Sequence, residues 1–256
     1  MTTLNNLQGL RFLAFILIYL NHAYGLISTG KIFDYGARGV EVFFVLSGWL
    51  IAYNFSNKSN KELDSSWAAC FIYLRDKLKK FYFLHILTFL MAAYVVSYTR
   101  PNYADCLRDA LLSITLLKSW FAPAMFSFNG ATWFIGTMLF CWLLVPKINA
   151  FFQERDKTWL LLAFLMIFLL SMTIDEMVFK AKYLLPKEIA LYVFPPYRLL
   201  HFLLGYLGYF LLRDLDKSSL GGSFNLSLLQ LVLLLGTIYV YIALDKTFVY
   251  TQFILF

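Results

Sequence analysis

Arg11 and His22 stand eleven positions apart in one apolar run, Leu10–Ile27. At about 100° per residue, eleven steps come to within roughly 20° of three full turns, so both fall on one face of a helix, about 16 Å apart along its axis. An ionisable side chain inside a membrane span is costly, faces the protein interior and marks function by default. A neutral imidazole whose tautomer is held by a carboxylate is a usual general base toward a hydroxyl. Glu41, at the opening of the next apolar run, can be that carboxylate, because the connection between the two runs is about eleven residues and short connections join neighbours. With the N-terminus in the cytoplasm, His22 and Glu41 both fall toward the non-cytoplasmic side, which favours contact.

Further along, Ser47-Gly48 is a small pair that permits close helix approach; packing is its plain reading, and an acyl-carrying Ser47 the chemical one. Lys79 and Lys80 end a basic stretch just before His85. They read either as interfacial anchors or as point charges for a phosphorylated ligand. Arg198 and His201, three apart, share a helix face, where Arg198 either snorkels to the interface or contacts substrate. All three histidines lie in or at the edge of apolar runs, a placement that suits proton handling.

The elements that must carry these residues follow from composition. The chain is 61% hydrophobic and only 14% charged, against about a quarter charged in a soluble domain. Its apolar residues come in blocks near 20 residues long, the length that spans hydrocarbon. The expected fold is all-α, a polytopic transmembrane helix bundle in one integral-membrane domain over residues 1–256. Seven full spans are read: Gln8–Ile27, Gly39–Phe55, Phe81–Tyr98, Thr132–Phe152, Thr158–Ile174, Arg198–Leu212 and Leu226–Leu244. An amphipathic part around Trp67–Leu78 precedes the third, and a short apolar helix near Leu107–Leu117 follows it. Pro146 sits where it can kink the end of the fourth. The final stretch, Phe248–Phe256, is a partial eighth span: nine residues cover roughly 13 Å, less than half a bilayer. It reads as a surface segment or as the sign of a C-terminally shortened chain.

A net charge of +7 is read as basic cytoplasmic loops beside anionic lipid, not as a nucleic-acid surface, because no basic and aromatic residues interleave. The basic residues of 56–80, Lys147–Lys157 and Arg213–Lys217 favour a cytoplasmic N-terminus. Cys70, Cys106 and Cys141 are odd in number and share no CxxC spacing, which speaks against a disulfide framework and a zinc cluster. The first apolar run lacks a basic n-region and carries Arg11 and His22, unlike a cleavable signal.

Leu7-Gln8-Gly9-Leu10-Arg11 followed by His22, and then Gly39-Val40-Glu41-Val42-Phe43-Phe44-Val45-Leu46-Ser47-Gly48, resemble the first two blocks of the membrane-bound acyltransferase 3 family. Lys80-Phe81-Tyr82-Phe83-Leu84-His85 is similar to its basic-aromatic block, and Asn129 to Gly136, with Trp133, to its fourth. Pro195 to Gly205, with Arg198, resembles a later one. The chain departs from the pattern at Gln8, Lys80, Phe83 and Met138, and such proteins usually carry about ten helices.

The resemblance implies transfer of acetyl from acetyl-CoA, a donor substrate and not a resident cofactor, to a hydroxyl of a surface or exported polysaccharide or lipid-linked sugar. It implies a bacterial inner-membrane location; no metal is expected, in keeping with the cysteine spacing. Arg11 and His22 match the family's arginine and histidine, and Glu41 its acid. In the resulting scheme Arg11, Lys79 and Lys80 meet the donor's phosphates, His22 and Glu41 handle the proton, and His85, Ser47, Trp133 and Arg198 line the substrates. Two other readings stay open: a transporter or flippase for lipid-linked sugars, and a catalytically inactive scaffold.

Overall fold

The computed structural model describes residues 2–27, 36–56, 64–99, 103–181 and 189–213. Among them there are helices and turns but no strand. In chain order the helices are α1 (Thr2–Ile27), α2 (Gly36–Ser56), α3 (Trp67–Leu78), α4 (Tyr82–Thr99), α5 (Tyr103–Ile114), α6 (Trp133–Phe152), α7 (Lys157–Ala181), α8 (Ile189–Val193) and α9 (Pro195–Leu212). Short 3-10 turns at Lys118–Trp120, Ala122–Ala124 and Gly130–Thr132 lie between α5 and α6. The chain divides into two compact units: residues 1–57, 156–176 and 201–256, and residues 58–155 and 177–200.

In the first unit, α1 and α2 pack against each other, and α2 also packs on α9. A methyl group on Gly39 would come within 2.6 Å of the Ala14 carbonyl and 2.8 Å of the Ile18 side chain. The start of α2 therefore lies against the stretch of α1 between Arg11 and His22. Gly48 faces the backbone of Phe202 and Tyr206, and Gly205 faces the backbone of Val45. Small residues let membrane helices approach to backbone contact, where dispersion replaces the missing hydrophobic drive. Further along, the Trp49 and Tyr53 rings meet the Tyr209 ring edge-on at 5.6 and 6.0 Å, and the Ser56 and Tyr209 hydroxyls lie 2.7 Å apart. Both helices run the same way through this contact.

α7 starts where the Asp156 carboxylate accepts from the Trp159 amide at 3.1 Å, a side-chain N-cap. It buries Leu160, Ala163, Ile167 and Ser171 and exposes Leu161, Leu162, Leu165 and Met166. Both faces are apolar. Such a helix is sided by packing and not by polarity, as expected where lipid is the solvent.

In the second unit, Ser66 caps α3 by accepting from the Ala69 amide, and Asp64 in turn accepts from the Ser66 amide and hydroxyl, both at 2.8 Å. These bonds hold the Asp64 carboxyl below its ordinary range. Lys147 of α6 donates to the Ser65 carbonyl and lies 4.4 Å over the Trp67 ring, while Lys77 of α3 stands 5.9 Å over Trp142. The start of α3 thus meets the later part of α6 and its end meets the middle of α6, so the two helices run antiparallel. A bend of 60° follows at 79–81. Its amides stay bonded, Lys79 to the Arg75 carbonyl, Lys80 to Lys77 and Phe81 to Leu78.

α4 and α5 form an antiparallel hairpin, with the Tyr82 hydroxyl donating to the Ile114 carbonyl at 3.2 Å. Thr137 of α6 donates to the Val193 carbonyl at 2.8 Å, and the Trp120 ring meets Phe140 and Phe194 edge-on. The segment before α6 and the α8–α9 corner are thereby gathered around the start of α6.

The expected count of seven spans is larger than the described residues hold. Three helices are long and apolar enough to cross a bilayer, Gly39–Ser56, Gly130–Phe152 and Lys157–Ile174, or four if the bent α3–α4 pair counts as one. These match the expected second, fourth and fifth spans. The expected third, Phe81–Tyr98, corresponds to α4, whose described part reaches bilayer length together with α3 across the bend. The expected first span, Gln8–Ile27, falls on α1, in which Leu7–Leu20 is apolar and the side chains after Leu20 lie outside the described residues. The expected sixth, α9, is not among the qualifying helices; Pro195, Pro196, Arg198 and His201 crowd its start. The expected short helix near Leu107–Leu117 is α5, which ends earlier, at Ile114. Pro146 lies inside α6, which continues through it to Phe152. The expected seventh span, Leu226–Leu244, and the Phe248–Phe256 stretch lie outside the described residues.

Candidate active site

In the first unit α1 carries Arg11 and His22, and α2 carries Glu41 and Ser47. Arg11 is partly buried, and its Nε is buried without a hydrogen-bond partner among the described residues. A buried guanidinium N–H left over by the protein is a donor available to a ligand. Glu41 is only 7% exposed, at the packed start of α2. The side chain of His22 lies outside the described residues. Ser47 is partly buried, and its neighbour Gly48 is the point where α2 meets α9, so the small pair serves packing at Gly48.

The second unit holds the other candidates. Trp133 opens α6, and its ring meets the Tyr192 ring at 5.4 Å and 60°. Arg198 covers the same tyrosine: its guanidinium carbon is 4.2 Å from the Tyr192 ring, and its Nε donates to the Tyr192 carbonyl at 2.7 Å. Tyr197 is the other ring beneath it, at 4.9 Å. Trp133, edge-on, and Arg198, over its face, thus share the Tyr192 ring, and Arg198 is fully buried and does not snorkel. Lys79 and Lys80 are exposed at the 60° bend, with Lys79 3.8 Å from Asp76. His85 is buried one turn further on. The Ser113 carbonyl, 3.0 Å away, can only accept, so His85 Nε2 carries the hydrogen. His85 is thereby committed to the α4–α5 hairpin, apart from the exposed lysines.

Two residues of this unit escaped the sequence reading. One is Tyr192, on the short helix α8. Lys118 is buried with no exposed surface, and its Nζ donates to the carbonyls of Ser127, at 3.1 Å, and Asn129. The available signal was a lone lysine between Leu117 and Ser119-Trp120.

A family model described as an acyltransferase domain matches residues 4–256. The chain belongs to the acyltransferase 3 family. No curated protein and no solved structure matches it. The match takes in both units, so the acyltransferase carries its candidate residues on α1 and α2 in one and on α6 and α9 in the other. With its apolar helices, it is a membrane acyltransferase.

Burial moves one lysine of this acyltransferase, outside its spans, toward neutrality. It pushes the Lys118 amine down to about 8 from an ordinary 10.5. The titratable side chain near enough to interact with that charge is His85, on α4. Between those two pH values the unfolded chain holds a proton that the folded chain has released, so stability rises with pH across that window and is flat in this group below it. The slope approaches about 1.4 kcal/mol per pH unit. Melting of the detergent-solubilised protein at pH 7 to 10 checks this: Lys118→Met is expected to remove that part of the rise, and parallel curves for the two proteins would refute it.

Proposed function

We propose that this acyltransferase moves acetyl from acetyl-CoA to a hydroxyl of a surface or exported polysaccharide or a lipid-linked sugar, in the bacterial inner membrane with its N-terminus in the cytoplasm. The reading rests above all on one observation: Arg11 and His22 share a face of α1, and the buried Glu41 lies at the start of the helix packed on the stretch between them. The separation of about 16 Å along the axis suits the extended pantetheine arm of the donor.

Arg11, with a buried N–H to spare, takes a donor phosphate. Lys79 and Lys80, exposed and basic, draw the polyanionic donor to the membrane surface. His22 accepts the proton of the sugar hydroxyl as its oxygen attacks the thioester carbonyl carbon. The new C–O bond forms, the C–S bond breaks, and the CoA sulfur leaves, taking its proton from His22. Glu41 holds the imidazole in the tautomer that accepts. Ser47, on the same helix as Glu41, forms no covalent link in the scheme. Trp133 and Arg198 line the acceptor's place, where an aromatic face and a guanidinium suit a sugar ring and its hydroxyls. His85 supports this from the α4–α5 hairpin.

Acetyl content of surface glycans, measured by mass in cells with and without the protein, tests the reading. Acetyl groups that depend on the protein are expected; identical glycans would sink it. Acetyl-CoA should also raise the melting temperature of solubilised protein by mass action, as a sugar transporter gives no reason to expect.

A further inference from the structure

The segment that delivers Trp133 to the start of α6 is strained. Two of its residues other than glycine have positive φ: Leu116 at 60° and Phe128 at 52°. Left-handed backbone is strained for a bulky residue and persists only where the surroundings hold it. At Phe128 the holder is Lys118. Its Nζ donates to the carbonyls of Ser127 and Asn129, the two residues flanking Phe128. Phe128 is then seated by its ring, 4.9 Å from that of Phe89 on α4.

The clamp leads directly to Trp133. The Asn129 carbonyl that Lys118 holds also accepts from the Thr132 hydroxyl at 2.7 Å, which closes the 3-10 turn Gly130–Thr132. Ser119, next to Lys118, donates to the Trp133 carbonyl at 3.2 Å. Leu116 and Ser119 lie so close to Gly136 that a Cβ there would meet the Leu116 carbonyl. The first turn of α6 is therefore set by residues 116–129, and Lys118 is the side chain that ties their two ends together.

A buried ammonium is an expensive way to join two carbonyls. Among the described residues no carboxylate pairs with Lys118, and an apolar side chain would avoid the desolvation cost. What the lysine provides is geometry: donors aimed at two converging carbonyls on either side of a residue that does not adopt this backbone unaided.

We propose that Lys118 is a positioning residue of the acyl transfer: it locks the turn at Phe128 and through it sets the placement of Trp133, without touching substrate. The role rests on the carbohydrate acetylation reading above.

The test uses membranes containing the full chain, labelled acetyl-CoA, and initial rates of label entering carbohydrate, measured below the melting temperature of each variant. Lys118→Met is expected to lose about tenfold in kcat with the donor KM within about twofold, because misplacement of a lining residue acts on the bound complex. The double variant Lys118→Met with Phe128→Gly is expected to recover to within about threefold of wild type, since glycine adopts the left-handed turn without a clamp. A lysine that only stabilises would lower the melting temperature and leave both constants alone. The role is overturned by a kcat for Lys118→Met within twofold of wild type, by a double variant no faster than the single, or by failure of both to fold. Absence of labelled carbohydrate with the wild-type protein is a different result: it removes the acetylation reading, and this role with it.

Discussion

Gly205→Val is expected to leave almost no folded protein in the membrane. The first atom added at Gly205 would fall on the Val45 carbonyl, and the reciprocal position, Gly48, faces the Phe202 carbonyl in the same way. Both obstacles are backbone, so no rotamer change relieves them. The helices must separate along the whole contact, which includes the Trp49 and Tyr53 rings on Tyr209 and the Ser56–Tyr209 hydroxyl pair. Overpacking of a flexible core costs about 1–3 kcal/mol, and a rigid clash between backbones lies at or beyond the upper end. The yield of monodisperse protein after detergent extraction measures this. Gly9→Ala is the control, because nothing lies within 4 Å of a Cβ at that position. Equal yields of Gly205→Val and Gly9→Ala would show that α2 and α9 do not depend on that contact.

His22→Ala is expected to fold normally and to lose acetyl transfer by about a hundredfold or more, the usual cost of a lost general base. Arg11→Ala should act differently. It removes a contact to the donor that is present before and during reaction, so the donor KM rises while kcat changes little. The two variants, assayed side by side over a range of acetyl-CoA concentrations, separate proton transfer from donor binding. Unchanged transfer by His22→Ala would take His22 out of the mechanism and leave the Arg11 assignment to stand or fall by its own KM.

The sequence made some of this visible and hid the rest for physical reasons. Long apolar blocks announced α2, α6 and α7, because lipid demands helices of that length and composition. Arg11, His22 and Glu41 were legible because charge inside an apolar run is conspicuous. The crossing of α2 and α9 was not, since Gly48 and Gly205 lie far apart in the chain and each reads alone as a small residue. The α3–α4 break was hidden because every amide at 79–81 keeps a partner, so neither proline nor glycine is needed to make it. Lys118 was hidden because its partners are backbone carbonyls, which no residue type betrays. Tyr192 became interesting only when Trp133 and Arg198 were found on it.

The bend at 79–81 has a bearing on the depth of the protein in the bilayer. Lys79 is 67% exposed there beside Lys80, and two exposed ammonium groups in hydrocarbon would cost about 2.5–3.5 kcal/mol each, so the bend rests among headgroups and water. From that level α3 turns 60° away from α4, a float with Trp67, Phe71 and Ile72 exposed. Lys147 moors α6 to this float. Trp133 sits fourteen residues along α6, about 21 Å, from the mooring. The tie fixes one end of α6 at the level of the bend, and the length of α6 sets how far Trp133 stands from that level.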